Sequence, residues 1–323
     1  MEELRYIDLF CGIGGFRVAM EEACKENNII PNCVFSSDID PACQISYEAN
    51  FGHKPKGDIT KIEETSIPDH DILFAGFPCQ PFSIIGQRQG FNDIRGTLFF
   101  DIARILKHKK PKAFILENVK QLVGHDKGRT LKIILDTLKD LGYNVQYAVL
   151  NALDYGLPQK RERVIIVGHR EPIFFSFPAP IRPFKPLAEI LEKDVDQKHY
   201  ASEYITTRRK VKHRSAYKLS IWHENKSGNI CSYPYSCALR AGASYNYLLV
   251  NGERRLTPRE MFRLQGFPDT YKIVVNDGQA RKQAGNAVPV NLVKAVILKL
   301  MPFVASSLDM TSILRDYEIN LSA

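Results

Sequence analysis

YIDLFCGIGGF, residues 6–16, is a β-like run that breaks at Gly12, Gly14 and Gly15 and passes into the helical pattern FRVAMEEACKE. Strand, glycine turn, helix is how an open parallel sheet with crossover helices begins, and it brings backbone close to any ligand at the carboxyl end of the first strand. The same alternation continues outward. The β-like runs CVFSSD, DILFAG, AFILEN, VQYAVLN and RVIIVGH are separated by stretches such as ACQISYEAN, TLFFDIARILKH and RTLKIILDTLKDLG, where apolar residues recur every three or four positions. A doubly wound, mostly parallel α/β sheet over residues 1–173 is expected.

The texture then changes. FPAPIRPFKP, residues 177–186, carries four prolines and suits neither a helix interior nor a central strand, so it reads as a linker. Residues 174–255 are basic, tyrosine-rich and weakly periodic, which predicts a smaller irregular second domain. Helical patterning resumes at RRLTPREMFRLQGFP, with Thr257 as N-cap, Pro258 at the first helical position and Glu260 placed to close a capping box. Residues 256–323 are expected to connect back, with the apolar helix after GNAVPV packing on the first domain.

The chain has 323 residues, 44% of them hydrophobic, enough for a sizeable core, and its net charge of +8 suits a polyanionic partner without requiring one. The run TTRRKVKHR, residues 206–214, holds five Lys or Arg and no acid. It is either a solvated face or a polyanion contact. The acidic N-terminus shows no signal-like region and no run of about 18 apolar residues is evident, so no membrane association is expected. Seven cysteines, an odd number with no Cys-x-x-Cys pair, point to reduced thiols in a cytoplasmic protein without a bound metal.

Three groups of residues carry chemistry. The first is the glycine turn, together with Asp38 at the end of the next strand and Asp58 and Ile59 further on; it lacks the full Gly-x-Gly-x-x-Gly spacing, so a nucleoside without a pyrophosphate fits it better. Turn glycines and helix-capping acids would look the same. The second is Cys79 in FAGFPCQPFS, held between Pro78 and Pro81 and followed by the glycine-punctuated segment 83–96, an arrangement suited to a nucleophile beside a closing lid. A buried structural thiol is the alternative. The third is Glu117 in ILEN with Arg161 and Arg163 in QKRER, which could be an ion pair or a clamp on a polar ring above Cys79.

Taken in order, DLFCGIGGF, GFPCQPFS, ENV, QKRERV, RRLTPREMFRLQGFP and GNAVPV resemble the C5-cytosine DNA methyltransferases over nearly the whole chain. The resemblance implies a covalent mechanism. Cys79 would add to C6 of a cytosine swung out of a DNA duplex, making C5 nucleophilic enough to take a methyl group from S-adenosylmethionine; extrahelical bases are general for enzymes acting on a base, methyltransferases among the stated cases. Glu117 would bind N3 and the exocyclic amine, and Arg163 would contact O2 and orient Glu117, with Arg161 in support. Phe10, Gly12, Gly14, Phe16, Asp38, Asp58, Ile59, Leu98 and Asn286 would surround S-adenosylmethionine. Ser83, Arg208, Arg209, Lys210 and Arg240 are the candidate DNA contacts. Relatives commonly carry Thr followed by Leu, Ile or Val late in the recognition region, whereas this chain has Ala238-Leu239. A monomeric, stand-alone methylase of a bacterial or phage restriction-modification system acting on duplex DNA is expected. An RNA cytosine methyltransferase and a catalytically silent DNA-binding protein are the alternatives.

Overall fold

The computed structural model describes residues 1–78, 98–181 and 183–308. In chain order the first part comprises β1 (Glu3–Leu9), α1 (Gly15–Glu26), β2 (Ile30–Ser37), α2 (Pro41–Phe51), β3 (Ile72–Gly76), α3 (Leu98–Lys109), β4 (Ala113–Val119), α4 (Arg129–Asp140), β5 (Asn144–Asn151), the two-residue β6 (Gln159–Lys160) and β7 (Glu162–His169). Six of these strands form one sheet in the order β2-β1-β3-β4-β7-β5. The first four are parallel, and β7 runs antiparallel to both β4 and β5. The reversal follows from chain length: each parallel pair is joined through a helix, whereas only residues 152–161 separate β5 from β7, too few for a crossover.

Both faces of the sheet are covered, which is why its central strands read as nearly continuous apolar runs. Tyr6, Phe74, Ile115 and Ile165 face one core with α1 residues such as Phe16, Ala19 and Ala23. Ile7, Leu73, Leu116 and Ile166 face the other, against Phe99 and Ile102 of α3 and Ile134 and Leu138 of α4. Phe16 stacks on Phe74 with centroids 5.2 Å apart, and burying either ring stabilises the fold by about 2–3 kcal/mol. Gly14 caps α1 at φ 78°, and a Cβ there would sit 2.3 Å from the Phe51 ring. This glycine is required by backbone and packing together.

The later elements are α5 (Leu187–Ile190), α6 (Glu203–Lys212), β8 (Ile221–Glu224), β9 (Ile230–Tyr233), β10 (Ser236–Cys237), β11 (Leu248–Val250), α7 (Pro258–Leu264), α8 (Asp277–Asn286) and α9 (Val290–Leu300). Strands β11, β8 and β9 make a separate antiparallel sheet, while β10 pairs with β6. Helix α9 lies against α1, where Lys294 bridges Glu22 at 3.1 Å and Glu26 at 2.6 Å. The stretch Asp277–Phe303 reaches the length and mean hydropathy of a membrane span without being a continuous apolar run. Broken between α8 and α9 and 72% buried over its apolar window, it is a core element.

Part of the basic run is engaged within the protein. Arg209 is 1% exposed and, with Arg208, grips Glu224 of β8 at 2.7 and 2.6 Å, while Lys210 pairs with Glu253. Arg208 and Arg209 brace α6 against the small sheet through the Glu224 carboxylate, which offsets the burial of the Arg209 guanidinium. Arg209 is an internal strut, whereas Lys210 stays exposed.

The capping box at α7 is present as read from the sequence: Glu260 accepts from the Thr257 N–H while its own N–H donates to Thr257 Oγ1. The fully buried Glu260 also takes two hydrogen bonds from Arg254, at 2.7 and 2.9 Å, and one from the Glu192 N–H. Glu260→Ala therefore strands a buried guanidinium and should cost about 3–5 kcal/mol. A urea midpoint shift worth less than about 1 kcal/mol would show that the pair is dispensable.

Candidate active site

The parallel strands β1, β3 and β4 all point their carboxyl ends to one edge of the sheet, and antiparallel β7 brings its amino end to that same edge. One cavity of about 640 Å³ opens there. Its wall includes Phe10, Gly12, Phe16, Asp38, Asp58, Ile59, Leu98 and Asn286, and also Pro78, Glu117, Asn118, Arg161 and Arg163. Of the residues expected around a nucleoside ligand, Gly14 alone is not on the wall, being used to turn the chain into α1.

Asp38 shapes the first set. Its Oδ2 accepts from the Gly12 N–H at 2.7 Å and its Oδ1 from the Asp40 N–H at 2.8 Å, so the carboxylate fixes the glycine turn and still has lone pairs for a ligand. Burial pushes its pKa up, against the pull of those two N–H groups. Asp58 caps a short turn through Thr60, whose N–H and hydroxyl both donate to it, and these bonds hold its carboxyl below the ordinary range.

Register explains the second set. Val119 of β4 lies opposite Arg163 of β7, and Glu117 opposite Ile165, so Glu117 and Arg163 are diagonal neighbours on one face. Arg163 Nε meets Glu117 Oε1 at 2.7 Å, with both side chains almost buried. Desolvation raises the Glu117 pKa; Arg163 and then Arg161 pull it down without offsetting the burial. The result is a carboxyl that keeps its proton more readily than an exposed one, already oriented by a guanidinium.

Asn118 was not singled out in the sequence, yet its side chain donates to the Phe77 carbonyl at 2.9 Å and so holds the segment leading to Pro78. The only signal for it was its place in ENV. Arg161 has different partners from Arg163. Its guanidinium, 1% exposed, donates to the carbonyls of Leu239, Gly285 and Ala287 at 2.9, 3.0 and 2.8 Å and bonds no carboxylate; burial brings its pKa down to about 9. It positions backbone segments beside the cavity. Arg240 reaches the cavity wall, its guanidinium 4.9 Å from the Tyr247 ring centroid. Cys79, Ser83 and the expected lid at 83–96 lie outside the described residues.

The family model described as C-5 cytosine-specific DNA methylase matches residues 4–301. The chain belongs to that family. The methylase is 57% identical to the type II methyltransferase M.NgoBI of Neisseria gonorrhoeae, covering 90% of each chain, and 54% identical to M.HaeII of Haemophilus aegyptius, covering 92% of each. Among solved structures, the Dnmt2 methyltransferase of S. pombe superposes with a TM-score of 0.71 at 22% identity, over 93% of this chain and 98% of that one, and so supports the fold. The Entamoeba histolytica methyltransferase EhMeth gives 0.72 at 18% identity, over 94% and 99%. The methylase is thus a DNA (cytosine-5-)-methyltransferase on a mixed α/β sheet. The RNA-directed and silent alternatives give way to this membership. Among the described residues no cluster of His, Cys, Asp and Glu suited to a metal is found.

Proposed function

We propose that the methylase takes S-adenosylmethionine beside Gly12 and Asp38 in the cavity and an extrahelical cytosine of a specific duplex sequence beside Glu117 and Arg163, with Cys79 as nucleophile. The observation that carries this reading is the continuity of the cavity: an acceptor carboxylate with apolar walls and an arginine-oriented carboxyl share one space of about 640 Å³, within the range of cofactor sites. The residues fit the cofactor. Asp38 offers acceptors for ribose hydroxyls, Phe16, Ile59 and Leu98 offer apolar surface for a purine, and no set of phosphate-binding glycines is needed.

When bound, S-adenosylmethionine supplies an electrophilic methyl group on a sulfonium. The chain's own residues do the rest. The Cys79 thiolate adds to C6, the C5–C6 π electrons become available at C5, and Glu117 gives its proton to N3, so that the ring carries no full negative charge. Arg163 holds Glu117 for that transfer and presents a donor to O2. After methyl transfer a base takes the C5 proton, the electron pair expels the thiolate from C6, and N3 returns its proton to Glu117. Asn118, through Phe77, positions the backbone from which Cys79 emerges.

A duplex with 5-fluorocytosine at the target tests this. Fluorine permits addition and methyl transfer but cannot leave as a proton does, so the enzyme should stay bound through Cys79 after denaturation, provided that the methyl donor is present. If no adduct forms on a duplex whose cytosine form is methylated, the covalent route is wrong. Trapping on fluorinated RNA in preference to duplex would overturn the substrate.

A further inference from the structure

The recognition side of the cavity and its cofactor side share one polar scaffold centred on α8, buried at Arg161 and Gln283 and exposed at Lys282. The backbone of Leu239, just beyond β10, is held at both its groups: its N–H donates to Gln159 Oε1 at 2.9 Å and its carbonyl accepts from Arg161 at 2.9 Å. The same guanidinium spans to the carbonyls of Gly285 and Ala287, which flank Asn286 on the cavity wall. A Cβ on Gly285 would lie 2.3 Å from the Ala241 nitrogen, so the 240–241 backbone rests directly on the end of α8. Further along the same loop, the Ala243 carbonyl accepts from Arg281 of α8.

From α8 the connection continues to the cofactor side of the cavity. Lys282 pairs with Asp40 at 2.7 Å, and the Gln283 amide donates to the Ala42 carbonyl at 2.9 Å and to Ser46 Oγ at 3.0 Å. The Asp40 N–H in turn binds Asp38, which holds Gly12. Breaking a buried link of this kind leaves an unsatisfied polar group, so a displacement of the loop is passed on to α8 rather than absorbed between them.

We propose that α8 couples target recognition to cofactor binding, with Arg161 and Arg281 as positioning residues: when the 238–243 loop engages the correct sequence, α8 sets Asn286 and the Asp40–Asp38–Gly12 turn for the cofactor. This rests on the reading of the cavity as a joint site for cytosine and S-adenosylmethionine. Linkage makes the effect reciprocal, so cofactor strengthens the binding of cognate DNA by the same factor.

Calorimetric titration with S-adenosylhomocysteine measures it, without DNA, with saturating duplex carrying the methylated sequence, and with a scrambled duplex. In the wild-type protein the cognate duplex should raise affinity at least about fivefold over the scrambled one. Arg281→Met should reduce that ratio to less than about twofold, leaving affinity without DNA close to wild type, a pattern that general destabilisation does not produce. Arg281 is only partly buried, so its variant tests the coupling without removing a core residue. An unchanged ratio in Arg281→Met, even with weaker DNA binding, overturns the proposal, as does a wild-type protein with no cognate-specific gain. Failure of the wild-type protein to bind S-adenosylhomocysteine without DNA overturns the cofactor assignment beneath it instead.

Discussion

Cys79→Ser should lower methyl transfer at least about a thousandfold while leaving the melting temperature and cofactor affinity near wild type. A serine hydroxyl at neutral pH is a far weaker nucleophile than a thiolate, and without addition at C6 the C5 carbon of cytosine does not attack a sulfonium methyl. Single-turnover transfer of labelled methyl to duplex DNA is the measurement. Retention of even about a tenth of the wild-type rate would remove Cys79 from the mechanism. The other cysteines give a built-in contrast: Cys11 and Cys43 stand on the wall of the same cavity, but burial pushes the Cys11 thiol well up and the Cys43 thiol to about 12, so neither supplies thiolate near neutrality.

Glu117→Gln should slow transfer by about 10²–10³-fold, with DNA and cofactor affinities changed far less. The amide keeps the volume and a hydrogen bond to the ring but has no proton to give to N3, and the Arg163 guanidinium loses its carboxylate. The pH dependence carries the sign. Burial raises the Glu117 pKa, so the proton-bearing form persists to higher pH than for an exposed glutamate and is lost as pH rises through that raised value. The wild-type rate of adduct formation should therefore fall on the alkaline side, and Glu117→Gln should be flat there. Equal losses in binding and rate, or an unchanged alkaline limb, would make Glu117 structural.

Much of the fold is legible because it is local. The runs YIDLF, DILFAG and AFILEN coincide with β1, β3 and β4 within a few residues, since strands buried on both faces read as unbroken apolar segments. The α7 capping box is equally plain, because Thr257, Pro258 and Glu260 satisfy one another within a single turn. What the local pattern did not reveal is direction. RVIIVGH reads as one more strand, and nothing in it says that β7 is antiparallel, a consequence of the short 152–161 connection. That reversal is what puts Arg163 at the same edge as Glu117.

By itself the sequence determined the alternating α/β order, the return of the last helix and the residue types of the chemistry, because periodicity, caps and glycine turns act over a few residues. Tertiary structure decided what each charge does. Arg161 and Arg163, two positions apart in QKRER, look equivalent in the chain, yet β4 offers a carboxylate to one while three backbone carbonyls converge on the other. Arg208 and Arg209 read in the chain as a solvated face or a polyanion contact, and nothing local shows that β8 brings Glu224 against them. A side chain's role depends on which partner shares its buried volume, and such partners, 46 residues apart for Glu117 and Arg163, meet only when strand register and direction are set.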